Sequence, residues 1–307
     1  MRPILAAFAI VLVCLPAVAK SYSTCVTGAG GFLGSEIVAQ LLASPSAPRV
    51  SATCRAMSPF LVQEQKKAGP NRMEVHEGVD LLQEGSYDRA MKDCDVVIHT
   101  AAPFPAEIRN EQHAEEVVAA CVDGTRNILQ AAARCGVQRV VVTASMAAIR
   151  GPADEPSDGR CFGVKDWNRT SRRDGKGMEP YQWAKTRAEE AAFELGDALG
   201  VQVVSILPTW VIGPPRHAGV RSASVKLVRG WLQGQGKVQS RLVCDVRDAA
   251  AAHVIAATVP LPPSSSRRIL VGGEARVTAA EMRALLLAAL AALPDSETRY
   301  SCDTLSP

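Results

Sequence analysis

The stretch Ser23-Thr-Cys-Val-Thr-Gly-Ala-Gly-Gly-Phe-Leu-Gly34 restricts the possible folds more than any other part of the sequence. Ser23 to Thr27 has the apolar, β-branched character of a strand, and Phe32 to Ala43 places Ile37, Leu41 and Leu42 on one helical face. Between them Gly28, Gly31 and Gly34 recur at every third position. In a strand-turn-helix unit the first glycine permits the tight turn. The second lets a diphosphate approach the backbone, and the third lets the helix pack on the strand. The helix start then offers amide donors and positive potential to phosphate. Gly28, Gly31, Phe32, Leu33 and Gly34 are therefore candidate dinucleotide-binding residues.

The rest of the chain repeats the strand-helix rhythm. Strands are expected at Arg49–Arg55, Met73–Glu77, Asp95–His99, Arg139–Ala144 and Gln202–Leu207, with helices at Glu111–Arg134 and about Pro180–Leu199. This alternation predicts an α/β fold, a Rossmann-type doubly wound parallel sheet covered on both faces. Arg150–Glu179, rich in Gly, Pro, Asp and Arg, reads as a loop over the site. After Gly213 the pattern is irregular until Arg267–Val271 and an Ala/Leu-rich helix from Thr278. The expected organisation is a nucleotide-binding domain over 22–210 and a smaller C-terminal substrate lobe over 211–307, with 243–258 returning to the first domain.

The strand ends carry the next candidates. The second strand ends in Arg55, with no acidic residue to bind a ribose 2′-hydroxyl, and a cation there suits a 2′-phosphate. The cofactor expected is thus NADP(H), preferred over NAD(H). Asp80 and Leu81 follow the third strand near the adenine position, and Thr100, Ala101 and Ala102 follow the fourth, small enough to lie against a cofactor.

Tyr181 and Lys185 stand at i and i+4 of the helix near 180–199 and share one face. A lysine cation beside a phenol is expected to lower its pKa and make Tyr181 a general acid/base for a carbonyl/alcohol pair. Ser145 ends the strand Val140-Val-Val-Thr-Ala and is placed to hold the substrate oxygen.

In these motifs the chain resembles an extended short-chain dehydrogenase/reductase of the NAD(P)-dependent epimerase/dehydratase superfamily. It is most similar to the dihydroflavonol reductase, cinnamoyl-CoA reductase and aldehyde/ketone reductase group. The likeness runs over about residues 22–300, through TGAGGFLG, VSATCR, the VDLLQEGSYDRAMKDCDVVIHTAAPF stretch, VDGTRNILQAA, VVVTAS, YQWAK, LPTWVIGP and VCDVRDAAAAH. It implies a catalytic set of Ser145, Tyr181 and Lys185, with Lys185 also on the nicotinamide ribose. Arg55 would meet the 2′-phosphate, and Pro208 and Thr209 would lie beside the carboxamide. The implied activity is reduction of a ketone or aldehyde by hydride transfer. A sterol dehydrogenase or sugar epimerase of the same superfamily, or a non-catalytic dinucleotide-binding protein, are the alternatives.

Departures from the family pattern limit what is carried over. Met146-Ala147-Ala148 stands where nucleotide-sugar dehydratases carry an acidic pair, and Arg150 where dihydroflavonol reductases carry a flavonoid-binding Asn. The tyrosine lies in Met178-Glu-Pro-Tyr-Gln-Trp183 rather than the NWYCY-like run of plant cinnamoyl-CoA reductases. Arg150 and the run Arg169–Lys176 read as a solvated loop, with affinity for an anionic substrate as the alternative. The resemblance also implies a helix beyond a D-T/N-S-K segment, whereas the sequence ends at Asp303-Thr-Leu-Ser-Pro307, so the substrate lobe is expected to lack it.

Composition removes other classes. A net charge of +3 and no basic stripe argue against a nucleic-acid partner, which leaves a small-molecule substrate. The 9 cysteines form no CxxC pair and no Cys/His cluster at metal-ligand spacing, so no metal is expected. Arg2, the apolar run Ile4–Leu15, Pro16 and Ala17-Val18-Ala19 read as a secretory signal over residues 1–19, or as a membrane anchor through 4–19 if uncleaved. The expected location is the secretory pathway or endoplasmic reticulum, and the cytoplasm if the segment is not a signal. Asn168-Arg-Thr170 is a candidate glycosylation acceptor.

Overall fold

The computed structural model describes residues 22–291 except 45, 46, 48, 156–159, 221, 236–239 and 261–265. The signal or anchor expected at 1–19 and the chain end after 291 lie outside the described residues. In chain order the strands are β1 (Thr24–Thr27), β2 (Val50–Cys54), β3 (Met73–Glu77), β4 (Val96–His99), β5 (Arg139–Thr143), β6 (Gln202–Pro208), β7 (Trp210–Ile212), β8 (Arg241–Asp245), β9 (Arg268–Val271) and β10 (Arg276–Val277). The helices are α1 (Phe32–Ala43), α2 (Pro59–Ala68), α3 (Asp88–Met91), α4 (Glu111–Arg134), α5 (Glu179–Leu199), α6 (Ala223–Leu232), α7 (Val246–Thr258) and α8 (Ala279–Ala291).

Seven strands form one sheet in the order β3-β2-β1-β4-β5-β6-β9, and every pairing in it is parallel. The central strands β1, β2, β4, β5 and β6 are buried almost throughout, whereas the edge strands β3 and β9 are only partly covered. In β1, Val26 joins the core built with α1, α2 and α7, while its neighbour Cys25 faces the core built with α3 and α4. The strand order reverses between β1 and β4, which opens a crevice at their carboxyl ends. This is the expected Rossmann-type sheet.

The region after Gly213 is more regular than its sequence suggests. Strands β7, β8 and β10 form a second sheet, with β8 central, parallel to β7 and antiparallel to β10. Helix α6 starts at Ser222, whose side chain accepts from the Ser224 amide, and α7 starts at Asp245, which accepts from the Arg247 amide. Helix α7 then packs against α1 on the large sheet, with Ala250, Ala256 and Ala257 in that core. Val243–Asp245, by contrast, belongs to the small sheet. Among the described residues no helix is long and apolar enough to cross a membrane.

Candidate active site

The glycine loop sits at the crevice. Gly28 has φ +70°, and an added Cβ would stand 3.1 Å from the Ala101 backbone and from Thr100 Oγ1. At Gly34 a Cβ would stand 2.2 Å from the Gly28 carbonyl oxygen, so the helix can approach the turn only as glycine. Gly31 is the residue before α1 and supplies no capping side chain, which leaves Phe32, Leu33 and Gly34 in the first turn to offer amides outward. The Ala29 amide donates to the Thr53 carbonyl at 2.9 Å and ties the loop to β2.

Arg55 follows β2 beside this loop. It is exposed and, among the described residues, pairs with no carboxylate. Asp80 is exposed after β3, and its carboxylate accepts from the Leu82 amide at 2.9 Å, so it shapes its own turn. Leu81 lies against Gly124 of α4, where a Cβ would stand 2.4 Å from Leu81 Cγ. After β4, the Thr100 hydroxyl donates to the Thr27 carbonyl at 2.6 Å, and Ala101 and Ala102 follow half-buried.

His99, within the DVVIHTAAPF stretch, lies buried beneath this junction, though its role is not read from the sequence. The Thr27 hydroxyl meets His99 Nδ1 at 2.8 Å and accepts from the Ala101 amide at 3.2 Å. On the ring's other side Thr125 Oγ1, which donates to the Cys121 carbonyl at 2.7 Å, lies 3.5 Å from His99 Nε2. The donor assignments close with Nδ1 accepting and Nε2–H donating. The β1 and β4 ends are thus pinned to each other and to α4.

Ser145, Tyr181 and Lys185 converge at the carboxyl ends of β5 and β6. Ser145 stands two residues past β5 and caps a short 3-10 turn, its Oγ accepting from the Ala147 amide at 3.1 Å. The Tyr181 phenol lies within hydrogen-bonding reach of the Ser145 hydroxyl. Tyr181 is 8% exposed and Lys185 5%, one turn apart on α5 and packed over Cys121 of α4. Lys185 Nζ donates to the Thr143 carbonyl at 2.6 Å. Pro208 ends β6, and Thr209 follows it buried, its amide bonded to the Val271 carbonyl at 2.8 Å.

One expectation is corrected here. Burial pushes the Tyr181 phenol above its ordinary pKa, with the nearby Cys121 thiol adding to the rise and the Ser145 hydrogen bond opposing it. Lys185 does not reverse this, because its ammonium is directed to the Thr143 carbonyl. Burial also lowers the lysine. Tyr181 is consequently protonated near neutral pH, the state of a proton donor.

The wall over Tyr181 is aromatic. Phe104, from the loop after β4, lies 5.6 Å from the Tyr181 ring and 5.6 Å from Trp210 of β7. The Arg241 guanidinium of β8 stacks on Trp210 at 4.1 Å. Phe104 and Trp210 lie in the HTAAPF and LPTWVIGP stretches, but nothing in either marks their contact, which brings β7 against the loop after β4.

Among its described residues the loop over 150–178 has neither helix nor strand, and it bears on two of the readings above. The arginine run is already neutralised: Arg169 pairs with Glu190 at 2.9 Å, Arg172 with Asp174 at 2.7 Å, and Arg173 with Glu115. Arg150 lies over the Phe162 ring at 5.5 Å. Arg169 and Arg173 hold the loop to α5 and α4, while Arg172 and Arg150 are engaged within the loop itself. Asn168 is buried, and its Nδ2 donates to the Ala147 carbonyl and to Ser171 Oγ, both at 2.8 Å. A glycan on that nitrogen is incompatible with this packing.

His253 of α7 is fully buried against the end of β5. It meets Thr143 Oγ1 through Nε2 at 2.8 Å and the Ala249 carbonyl through Nδ1 at 2.7 Å. Burial holds His253 down to about 4 and His99 to about 3, and the Lys185 charge adds to both shifts. In the unfolded chain both take up a proton near pH 6.5, so the unfolded state binds more protons below that pH. Stability should therefore be intact above pH 6.5 and fall by about 1.4 kcal/mol per pH unit for each histidine between pH 6.5 and about 4. Urea titrations from pH 7.5 to 5 measure this. A flat profile would contradict the neutral, buried assignment.

Comparison with known proteins agrees with this geometry. Residues 24–272 match the NAD dependent epimerase/dehydratase family. The chain is 32% identical over 262 residues to cinnamoyl-CoA reductase 1 of Arabidopsis thaliana, covering 83% of this chain and 71% of that protein. Among solved structures it is similar to yeast methylglyoxal/isovaleraldehyde reductase Gre2 complexed with NADPH, with a TM-score of 0.70 and 27% identity over 83% of this chain and 79% of that one. Gre2 from Candida albicans in complex with NADPH gives a TM-score of 0.74 and 26% identity over 90% and 84% of the two chains. With the family match running from β1 to just past β9, the chain belongs to the NAD dependent epimerase/dehydratase family.

Proposed function

We propose that the protein is an NADP(H)-dependent oxidoreductase that reduces a ketone or aldehyde to the alcohol. The observation that carries this reading is the convergence of Ser145, Tyr181 and Lys185 at the strand ends beside the glycine loop. The turn at Gly28, the close approach at Gly34 and the uncapped start of α1 suit a dinucleotide diphosphate. The similar Gre2 structures contain NADPH, which supports the same cofactor here.

When bound, the reduced cofactor supplies a hydride to the carbonyl carbon. Tyr181, held protonated by burial, gives its proton to the carbonyl oxygen. The Ser145 hydroxyl donates a hydrogen bond to that oxygen and stabilises its developing charge. Lys185 would hold the nicotinamide-side ribose and place a positive charge near the forming phenolate. Phe104 and Trp210 exclude water and flank the carbonyl substituents. Pro208 and Thr209 border the carboxamide position at the end of β6. Asp80 and Leu81 would approach the adenine, and Thr100, Ala101 and Ala102 would lie against the cofactor.

Loss of reduced-nicotinamide absorbance with a panel of ketones and aldehydes tests the activity. Arg55 decides the cofactor. Arg55→Ala should weaken NADPH binding by about tenfold or more, the value of one charge-assisted contact to phosphate, and leave NADH unchanged. Fluorescence titration of both cofactors measures it. Equal loss for the two would remove Arg55 from the 2′-phosphate.

A further inference from the structure

The segment that leaves β7 crosses back over the glycine loop. Gly213, at φ +137°, turns the chain where a Cβ would stand 2.8 Å from Val246 Cγ1, and Pro214 and Pro215 stiffen the chain after the turn. Arg216 then reaches α1, where its Nε lies 2.5 Å from one Glu36 carboxylate oxygen and its Nη2 lies 2.8 Å from the other. The next residue, His217, meets the Gly30 carbonyl through Nε2 at 3.2 Å and stacks on Phe60 with ring centroids 6.1 Å apart. A strap from the small lobe is thereby fastened to both sides of the proposed diphosphate loop.

Glu36 is the unusual member. It is only 2% exposed and lies in α1, whose N-terminus is proposed to receive a doubly charged diphosphate. It lies four positions after Phe32, about 6 Å along the helix axis. A carboxylate at that distance offsets the positive end of the helix dipole and repels phosphate. Arg216 cancels it: its hydrogen bonds hold the Glu36 carboxyl below the usual range, helped by Gln40, whose Nε2 donates at 3.0 Å.

We propose that Arg216 is a charge-compensating residue of the cofactor site, contributed by the small lobe, which makes α1 receptive to the dinucleotide diphosphate only when the strap is fastened to Glu36. The inference rests on the cofactor reading above. It concerns the diphosphate, which NADPH and NADH share, so it separates from the role of Arg55. Cofactor affinity is then coupled to the position of the small lobe through one ion pair. His217 is a positioning residue that holds the strap at Gly30.

Titration of NADPH and NADH into the wild type and three variants tests it. Arg216→Ala should weaken both cofactors by the same factor, about tenfold, shrinking as salt is added. Glu36→Gln should tighten both severalfold, because the arginine charge is then left to the diphosphate. The double variant Arg216→Ala/Glu36→Gln should bind close to wild type. An unchanged Arg216→Ala, a loss confined to NADPH, or a double variant as weak as Arg216→Ala would each overturn the proposal. If Arg216→Ala fails to fold with its buried carboxylate unpaired, Glu36→Gln and the double variant decide alone, and no tightening in Glu36→Gln overturns it. A wild type that binds neither cofactor would defeat the reading of the site itself, an outcome distinct from these.

Discussion

Tyr181→Phe should lower turnover by about a thousandfold, within the 10²–10⁴ that a positioned acid contributes, while the dissociation constant for NADPH stays within about a factor of two. The substitution removes one oxygen. The ring keeps its place over Val117, Val118 and Cys121 of α4, and its contact with Phe104 at 5.6 Å survives. What is lost is the proton donor and the partner of the Ser145 hydroxyl. Because burial keeps the phenol protonated in the free protein, reduction needs no prior deprotonation, whereas alcohol oxidation needs the phenolate. The wild type should accordingly oxidise alcohols faster as pH rises, and Tyr181→Phe should lose that dependence. Turnover in Tyr181→Phe equal to wild type would remove Tyr181 from the chemistry.

Glu189→Ala should cost about 3–5 kcal/mol of folding stability, because it strands a buried guanidinium. Arg268, on β9 and only 7% exposed, meets Glu189 of α5 through two contacts, 2.9 and 3.0 Å. The same guanidinium donates to the carbonyls of Val164 and Asp166, both at 2.6 Å, and lies 3.8 Å over the Trp167 ring. One cation thus joins the sheet edge, the helix carrying Tyr181 and the loop after Ser145. Urea denaturation monitored by tryptophan fluorescence measures the loss. A change below about 1 kcal/mol, the scale of an exposed pair, would show that the junction carries little of the stability.

The parts of the fold visible in the sequence are those with one dominant period. β4, β5 and β6 are short apolar runs between helices, and their parallel burial leaves a signal that a single chain displays. The small sheet is hidden because β7, β8 and β10 are short and half-buried, so they show neither an unbroken apolar run nor a clean alternation. Helix α2 carries the Ser58-Pro59 start signal, with Ser58 Oγ accepting from the Leu61 amide, but buries only Phe60 and Leu61 and shows little amphipathic pattern.

The candidate site divides in the same way. Gly28, Gly34, Ser145, Tyr181 and Lys185 stand out because a local spacing dictates their geometry. The direction of the Tyr181 shift does not, since it depends on the burial that α4 imposes and on which carbonyl Lys185 finds. The arginine run invites an anion-site reading until Glu115 and Glu190 arrive from α4 and α5 to neutralise it. Arg216 and Glu36 are 180 positions apart, and nothing in either neighbourhood announces the pair.

The most direct test of the central claim is a fluorescence titration of the purified protein with NADPH and with NADH, with carbonyl substrate then added to the complex. The expected result is saturable binding that is at least about tenfold tighter for NADPH, as an unpaired arginine at the 2′-phosphate requires, and oxidation of the bound cofactor once a suitable ketone or aldehyde is present. Binding of neither cofactor, or a preference for NADH, would contradict it.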